Sequence, residues 1–460
     1  MRDLSRATAL LLSSIALCAM ALSAAGAAFA QGAAPAPRVA NADKIATLTL
    51  DNGLQIIVWP DTDIPNVAFY NWVRVGSRNE APGITGLAHF FEHMMFNGTK
   101  KSAPGEFDRI MEANGGANNA FTNDDVTVYQ DWFPRSALET IFELEADRLE
   151  HLAFVPEVIE SERNVVYSER RLRVEDSNVG MLAEQVQSTA FVAHPYQFPT
   201  IGWPSDIKSW RMEDLQSFFR TNYAPNNCTM IFVGSVQPEE IFTLARKHFA
   251  KIPRQEPPPA IRTQEPAQLG ERRVRLDVDA QTPLLQFAYH GLAAADERLP
   301  AANLLMSILT EGDASRLHRL LVEKEKVAID VSGFLQQGFD PGLFWILATL
   351  PTGMDPARTE GVLTAELERV ASEGVTEEEL RRAKNLFASS FWKGLATIDG
   401  KAQAIGSYAV FLNDYRKLFD APRRYEAVTR DEVKNVAADL LKRQQRTVGT
   451  LVPRAAAKEG

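Results

Sequence analysis

Apolar and polar residues alternate from Ala46 to Leu50 and again from Leu54 to Val58, with Asp51-Asn52-Gly53 between the two runs. A period of two puts one face of a strand against a core, and an Asn-Gly step supplies the turn, so this stretch predicts a β-hairpin. A further strand is predicted from about Val67 to Val75. Gly83 to Gly86 breaks the pattern ahead of a predicted helix from Leu87 to about Phe96, and the stretch from Val158 to Arg170 predicts another helix. Pro253 and Pro257-Pro258-Pro259 interrupt the chain near its middle, in a polar stretch that runs to Pro266. Polyproline is stiff and ends both helix and sheet, which marks an interdomain linker. Each side of it begins with strand signals, continues into long helical stretches and ends in a short strand, Cys228–Val233 or Thr447–Val452. The pattern therefore predicts an α+β chain of two similar mixed domains, a diverged internal duplication. The expected divisions are an N-terminal domain at 45–254, a linker at 255–270 and a C-terminal domain at 271–454.

The first 44 residues stand outside that pattern. Arg2 and Arg6 precede an apolar run from Ala7 to about Leu22, and small residues lead to Ala28-Phe29-Ala30. A positive start, an apolar middle and an A-x-A exit predict a secretory signal peptide over 1–30, followed by a flexible leader over 31–44. The run is short for a membrane anchor, and no later run is long enough to span a bilayer. Cys18 follows Leu17 rather than a small residue, which argues against lipidation there. Export across an inner membrane into the periplasm is the expected location. Of the 2 cysteines, Cys18 would leave with the signal, so Cys228 has no partner for an intrachain disulfide. A formal net charge of −10 argues against a nucleic-acid binder.

Candidate chemistry concentrates in His89-Phe90-Phe91-Glu92-His93. Residues four apart share a helix face, so both imidazoles can reach one ion, and Glu92 borders that face. Catalytic zinc binds imidazole nitrogen and keeps a position open for water, whose proton a neighbouring carboxylate can take. Two histidines on a partly buried helix face, with no metal, would present the same letters. The order H-x-x-E-H mirrors the familiar H-E-x-x-H zinc helix. A further protein ligand must come from elsewhere in the chain, and Glu162 and Glu169 share one face of the predicted helix at 158–170.

Together, H-x-x-E-H and Glu162-Arg163-Asn164-Val165-Val166-Tyr167-Ser168-Glu169 resemble the pitrilysin/insulinase family of zinc peptidases, in particular its mitochondrial-processing-peptidase branch. The separation of His93 from Glu169 matches the family's. Gly86-Leu87-Ala88 before the motif, Met94 to Thr99 after it, Phe218 to Asn226 and Gly234 continue the likeness. The resemblance implies one Zn2+ per chain held by His89, His93 and Glu169, with Glu92 as general base and Glu162 orienting the site. It also implies that Asn119, Ala120, Phe121 and Thr122 form an edge strand that pairs with the backbone of a peptide substrate. An ordinary hairpin strand after Gly115-Gly116 is the plainer reading of the same residues. The implied fold is a duplicated half of a clam shell, closed by a second half across a chamber.

One departure changes the expectation. The family's second domain carries an Arg and a Tyr that grip the substrate, seven residues apart. Here Ser315-Arg316-Leu317 keeps the register, but Val322 and Ile329 occupy those two places. Neither side chain can donate a hydrogen bond. A sister subunit lacking zinc could supply both groups, making this chain the metal-bearing half of a heterodimeric endopeptidase; Arg316 or Arg319 acting locally is the competing explanation. A non-catalytic scaffold subunit is the alternative function, although a scaffold would need none of the four site residues. A purely structural zinc site would call for four protein ligands, often cysteines.

Overall fold

The computed structural model describes Val39 and residues 41–454, so the predicted signal peptide and most of the leader lie outside the described residues. From Asp43 onward the chain is one compact unit. Its first hairpin is the one the sequence predicts. β1 (Ala46–Thr49) pairs antiparallel with β2 (Gln55–Pro60), and Gly53 turns the chain at φ 91°. β3 (Asn66–Val73), β4 (Ala117–Thr122), β5 (Thr127–Pro134) and β6 (Cys228–Gly234) complete a six-stranded sheet in the order β1-β2-β6-β3-β5-β4.

A second sheet contains β7 (Arg272–Val278), β8 (Leu284–His290), β9 (Asp330–Leu335), β10 (Leu343–Thr349) and β11 (Arg446–Pro453), ordered β7-β11-β8-β10-β9. The order β2-β6-β3-β5-β4 maps onto it strand for strand. In both sheets the first pair is parallel and the other three pairs are antiparallel. The two lobes thus repeat one topology, with β1 added to the first. Between them, residues 253–269 form no helix or strand. The segment is nonetheless anchored, because the Glu265 carboxylate accepts the backbone N–H groups of Val192, Ala193 and His194, each at 2.9 Å.

Four helices matter for the site and its frame. α1 (Leu87–Met94) and α2 (Pro156–Arg170) carry the candidate metal-binding residues. α1 ends two residues before the predicted Phe96, within the usual fraying of a helix end, and α2 starts two residues before Val158. α3 (Asn178–Ala190), from the first half of the chain, packs on the second sheet, against β7, β8 and β11. α4 (Ile398–Leu412), from the second half, packs on the first sheet, against β3 and β6. Each lobe therefore lends a helix to the other's sheet, and β3 is buried on both faces from Val67 to Val73. Close approach needs small residues on both contacts. A Cβ on Gly449 of β11 would lie 2.3 Å from Val186, and one on Gly406 of α4 would lie 2.2 Å from Trp72 Nε1. Polar groups fix the α4 contact, where Asp399 accepts from Trp132 Nε1 at 2.7 Å and from the Tyr70 hydroxyl, and Lys401 pairs with Asp61. Among the described residues no helix is long and apolar enough to cross a membrane.

The Gly406 contact sets a stability test. Helix propensity alone would favour alanine by about 1 kcal/mol, whereas overpacking a filled core costs about 1–3 kcal/mol. Gly406→Ala is expected to lower the melting temperature; an unchanged or raised value would show that the interlobe packing is looser than described.

Candidate active site

The placement of α1 begins with the loop before it. Its first amides have no partners within the helix. The buried Glu80 carboxylate supplies them, accepting from Gly86 N at 2.7 Å and Ala88 N at 2.8 Å. Burial pushes the Glu80 pKa well up, and the two backbone donors oppose that shift. Asp206 holds the same loop by accepting from Gly83 N, Thr85 N and Thr85 Oγ1 at 2.8–3.2 Å. Gly86 and Gly202, at φ 88° and 85°, lie back to back. A Cβ on Gly86 would sit 2.7 Å from the Ile201 carbonyl oxygen, and one on Gly202 would sit 2.5 Å from that of Thr85. The apolar face of α1 is buried among aromatic rings, with Phe90 against Trp210 at 4.9 Å and Phe91 stacked on Phe218 at 5.9 Å. This leaves His89 and His93 to face α2 and Glu92 to face β4.

There the predicted ligands converge. His89 Nε2 and His93 Nε2 lie 3.5 and 3.4 Å from the same Glu169 oxygen, Oε2. One ligand atom from each of the three residues falls within 4.8 Å of the others. Glu169 stands in the last turn of α2, just before a π-helical turn at Arg171–Glu175. Arg170 secures that junction, donating to both Glu184 oxygens at 2.7 and 2.9 Å and to Gly202 O at 2.8 Å. Arg163 ties the middle of α2 to the carbonyls of Ile207 and Trp210.

The remaining contacts orient these groups. Glu162 Oε1 lies 2.7 Å from His93 Nδ1, and its other oxygen accepts from Asn97 Nδ2 at 2.8 Å. A carboxylate on Nδ1 fixes the tautomer and turns Nε2 outward as a donor atom, the arrangement seen behind metal-binding histidines. Arg173 Nε meets Glu169 Oε1 at 2.7 Å, leaving Oε2 to the imidazoles. Glu92 Oε2 accepts from Thr122 Oγ1 at 2.6 Å. Burial and the adjacent His93 lower the His89 pKa to about 4. Burial also opposes a charge on His93, but hydrogen bonds to Glu162 and Glu169 raise its pKa to about 9. Burial raises that of Glu92, against the Thr122 bond. Two imidazole nitrogens with one carboxylate oxygen are a donor set of catalytic zinc. The residues fit that ion. Glu139, Glu143 and His248 also cluster, but both carboxylates are exposed and Lys247 pairs with Glu139.

The predicted substrate strand is β4, which among the described residues pairs with β5 alone and lies at the outer edge of the sheet. Asn119 is exposed, Ala120 packs on the core, and Phe121 meets Trp72 edge-on at 6.2 Å. The Thr122 side chain is turned to Glu92, to which its hydroxyl donates. Three further residues at the site were not predicted: Glu80, Asn97 and Arg173. Asn97 and Arg173 each lie four residues after a candidate ligand, a helical spacing that could have revealed them. Nothing local marks Glu80.

Two similar α+β lobes with a histidine–glutamate centre in the first define the frame of a zinc-peptidase type. The chain belongs to the peptidase M16 (insulinase) family. The family profile described as "Insulinase (Peptidase family M16)" matches residues 60–202, and the one described as "Peptidase M16 inactive domain" matches 209–387. The chain is 30% identical over 416 residues to the zinc protease PqqE of Helicobacter pylori, covering 89% of this chain and 93% of that protein. The solved structure of a protease from Helicobacter pylori superposes with a TM-score of 0.85 at 29% identity, over 89% of this chain and 99% of that one. The periplasmic protease PqqL of Escherichia coli shares the fold, with a TM-score of 0.73 at 20% identity, over 90% of this chain but 49% of that one.

Removing the carboxylate behind His93 tests the site. Loss of such an orienting group typically costs roughly 10–100-fold in metal affinity. Glu162→Ala is expected to weaken zinc binding by that factor in a chelator competition, and His93→Ala to lose the zinc. Full retention of zinc by His93→Ala would contradict the ligand assignment.

Proposed function

We propose that this chain is a zinc endopeptidase that cuts unfolded peptides, with His89, His93 and Glu169 as ligands and Glu92 as general base. The observation that carries this reading is the meeting of both imidazoles on one Glu169 oxygen, with Glu92 on the same helix held by Thr122. Zinc bound there would polarise the scissile carbonyl and acidify a water. The chain's own residues do the rest. Glu162 keeps the His93 Nδ1 proton, so Nε2 remains a donor atom. Thr122 occupies Glu92 Oε2, so Oε1 is the oxygen left to take a proton. The free edge of β4 offers backbone groups to an extended peptide, which gives affinity with little demand on sequence.

The second lobe supports a division of labour. Val322 packs against its core, and Ile329 is exposed but apolar. Arg316, one local substitute, is bound to Glu379 and lies 3.5 Å from Glu366. We therefore assign the missing Arg and Tyr to a sister subunit. The fold's occurrence as half of a chain about twice as long agrees with such pairing. The pattern over residues 1–30 supports export to the periplasm.

Glu92→Gln keeps shape but removes the proton acceptor, so zinc content should stay near normal while turnover of an unfolded peptide falls by about a hundredfold or more. Unchanged turnover would remove Glu92 as the base. Adding a family member that lacks H-x-x-E-H but retains the Arg and Tyr should raise the rate by roughly 10²–10³, the usual worth of such donors. Full activity of the isolated chain, with no gain from the sister, would contradict the division of labour.

A further inference from the structure

The bond from Thr122 to Glu92 depends on where the β4–β5 turn sits, and that turn is held from two sides. Within it, Asn123 Oδ1 accepts from Asp125 N at 2.8 Å and Val126 N at 2.9 Å. On one side lies the segment that leads to Glu80. Arg78 N donates to Asp124 O at 2.9 Å and Ser77 Oγ to Asp124 Oδ1 at 3.0 Å, while a Cβ on Gly76 would sit 2.3 Å from Asn123 O.

On the other side lies the β9–β10 turn of the second lobe, the topological counterpart of the β4–β5 turn. Gln336 Nε2 donates to Asp124 Oδ2, and Phe339 N donates to Asp125 Oδ2 at 3.3 Å. Arg78 bridges the lobes, meeting Asp125 at 2.7 Å and also pairing with Asp340. Tyr196 closes the knot, its hydroxyl donating to Asp125 at 2.8 Å and accepting from Asp340 N at 3.2 Å. The fit at Gly338 is tight, since a Cβ there would lie 2.3 Å from both Asp125 Oδ2 and the Tyr196 hydroxyl. Asp124 and Asp125 are themselves buried, so each needs these donors.

We propose that Gln336, Gly338 and Asp340, in the second lobe, are positioning residues for Glu92, acting through the β4–β5 turn and Thr122. This rests on the reading of Glu92 as the base. A lobe without metal ligands thereby contributes to the chemistry, by fixing the plane of the Glu92 carboxylate. A misplacement of about 1 Å at a catalytic group can cost roughly 10²-fold in rate, so a displaced turn would act on turnover more than on substrate affinity.

The test is Gln336→Ala, Gly338→Ala and Thr122→Val, singly and as the Gln336→Ala/Thr122→Val pair, in the full chain with its sister subunit where activity requires it. Each of the two second-lobe variants should lower kcat by roughly 3–30-fold, the range for indirect coupling, with KM and zinc content little changed. If Gln336 acts through Thr122, the double variant should be no slower than Thr122→Val alone. Hydrogen exchange on the zinc-free protein gives a readout independent of catalysis. Residues 117–127 should exchange faster in Gln336→Ala, while β6 stays protected. Multiplicative losses in the double variant, or unchanged exchange over 117–127, would overturn the proposal. If instead Glu92→Gln left turnover intact, the base assignment would fail, and the exchange measurement would still decide whether the second lobe holds the turn.

Discussion

Buried charge must be met by a partner, and that requirement decides how the loops of this protein are arranged. Arg78 is largely buried, and it is matched by Asp125 from the same lobe and Asp340 from the other. Removing Asp125, the buried partner, would leave the Arg78 charge poorly compensated, at a cost of about 3–5 kcal/mol. The knot therefore holds together three segments: the loop into α1, the β4–β5 turn and the β9–β10 turn. Glu80 extends it to the first amides of α1, and Thr122 extends it to Glu92. The geometry of the site is in this sense inherited from a cluster of charges outside it.

The exchange of helices between lobes works to the same end by packing. α3 covers the second sheet and α4 the first, so neither half of the chain buries its own sheet alone. A duplicated topology with crossed helices gives a stiff frame. On that frame the lobes differ in what they carry, the first the histidines and the second the turn that braces the β4–β5 turn.

Local patterns carried much of this into the sequence. The alternation around Asn52-Gly53 marks the first hairpin, the i, i+4 spacing of His89 and His93 marks a shared helix face, and the prolines from Pro257 fall in the stretch without helix or strand between the two sheets. Glu169 needed the family resemblance, because a candidate ligand this far from the motif has no local signature. The partners of the site were hidden for the same reason. Thr122 read as part of a substrate strand, and only the folded chain brings its hydroxyl to Glu92, 30 residues away in sequence. Arg78 and Asp340 are 262 residues apart, and nothing in either neighbourhood announces the other. The π-helical turn after Glu169 also left no periodic trace. What periodicity reports is which face of an element is buried; which element buries it is settled by tertiary packing.

The central claim is that two imidazoles from α1 and one carboxylate from α2 form a single zinc centre. X-ray absorption at the zinc edge on the metal-loaded protein tests it most directly. The account predicts two imidazole nitrogens at about 2.0–2.1 Å together with oxygen ligands. A single imidazole, or a sulfur shell at about 2.3 Å, would contradict it.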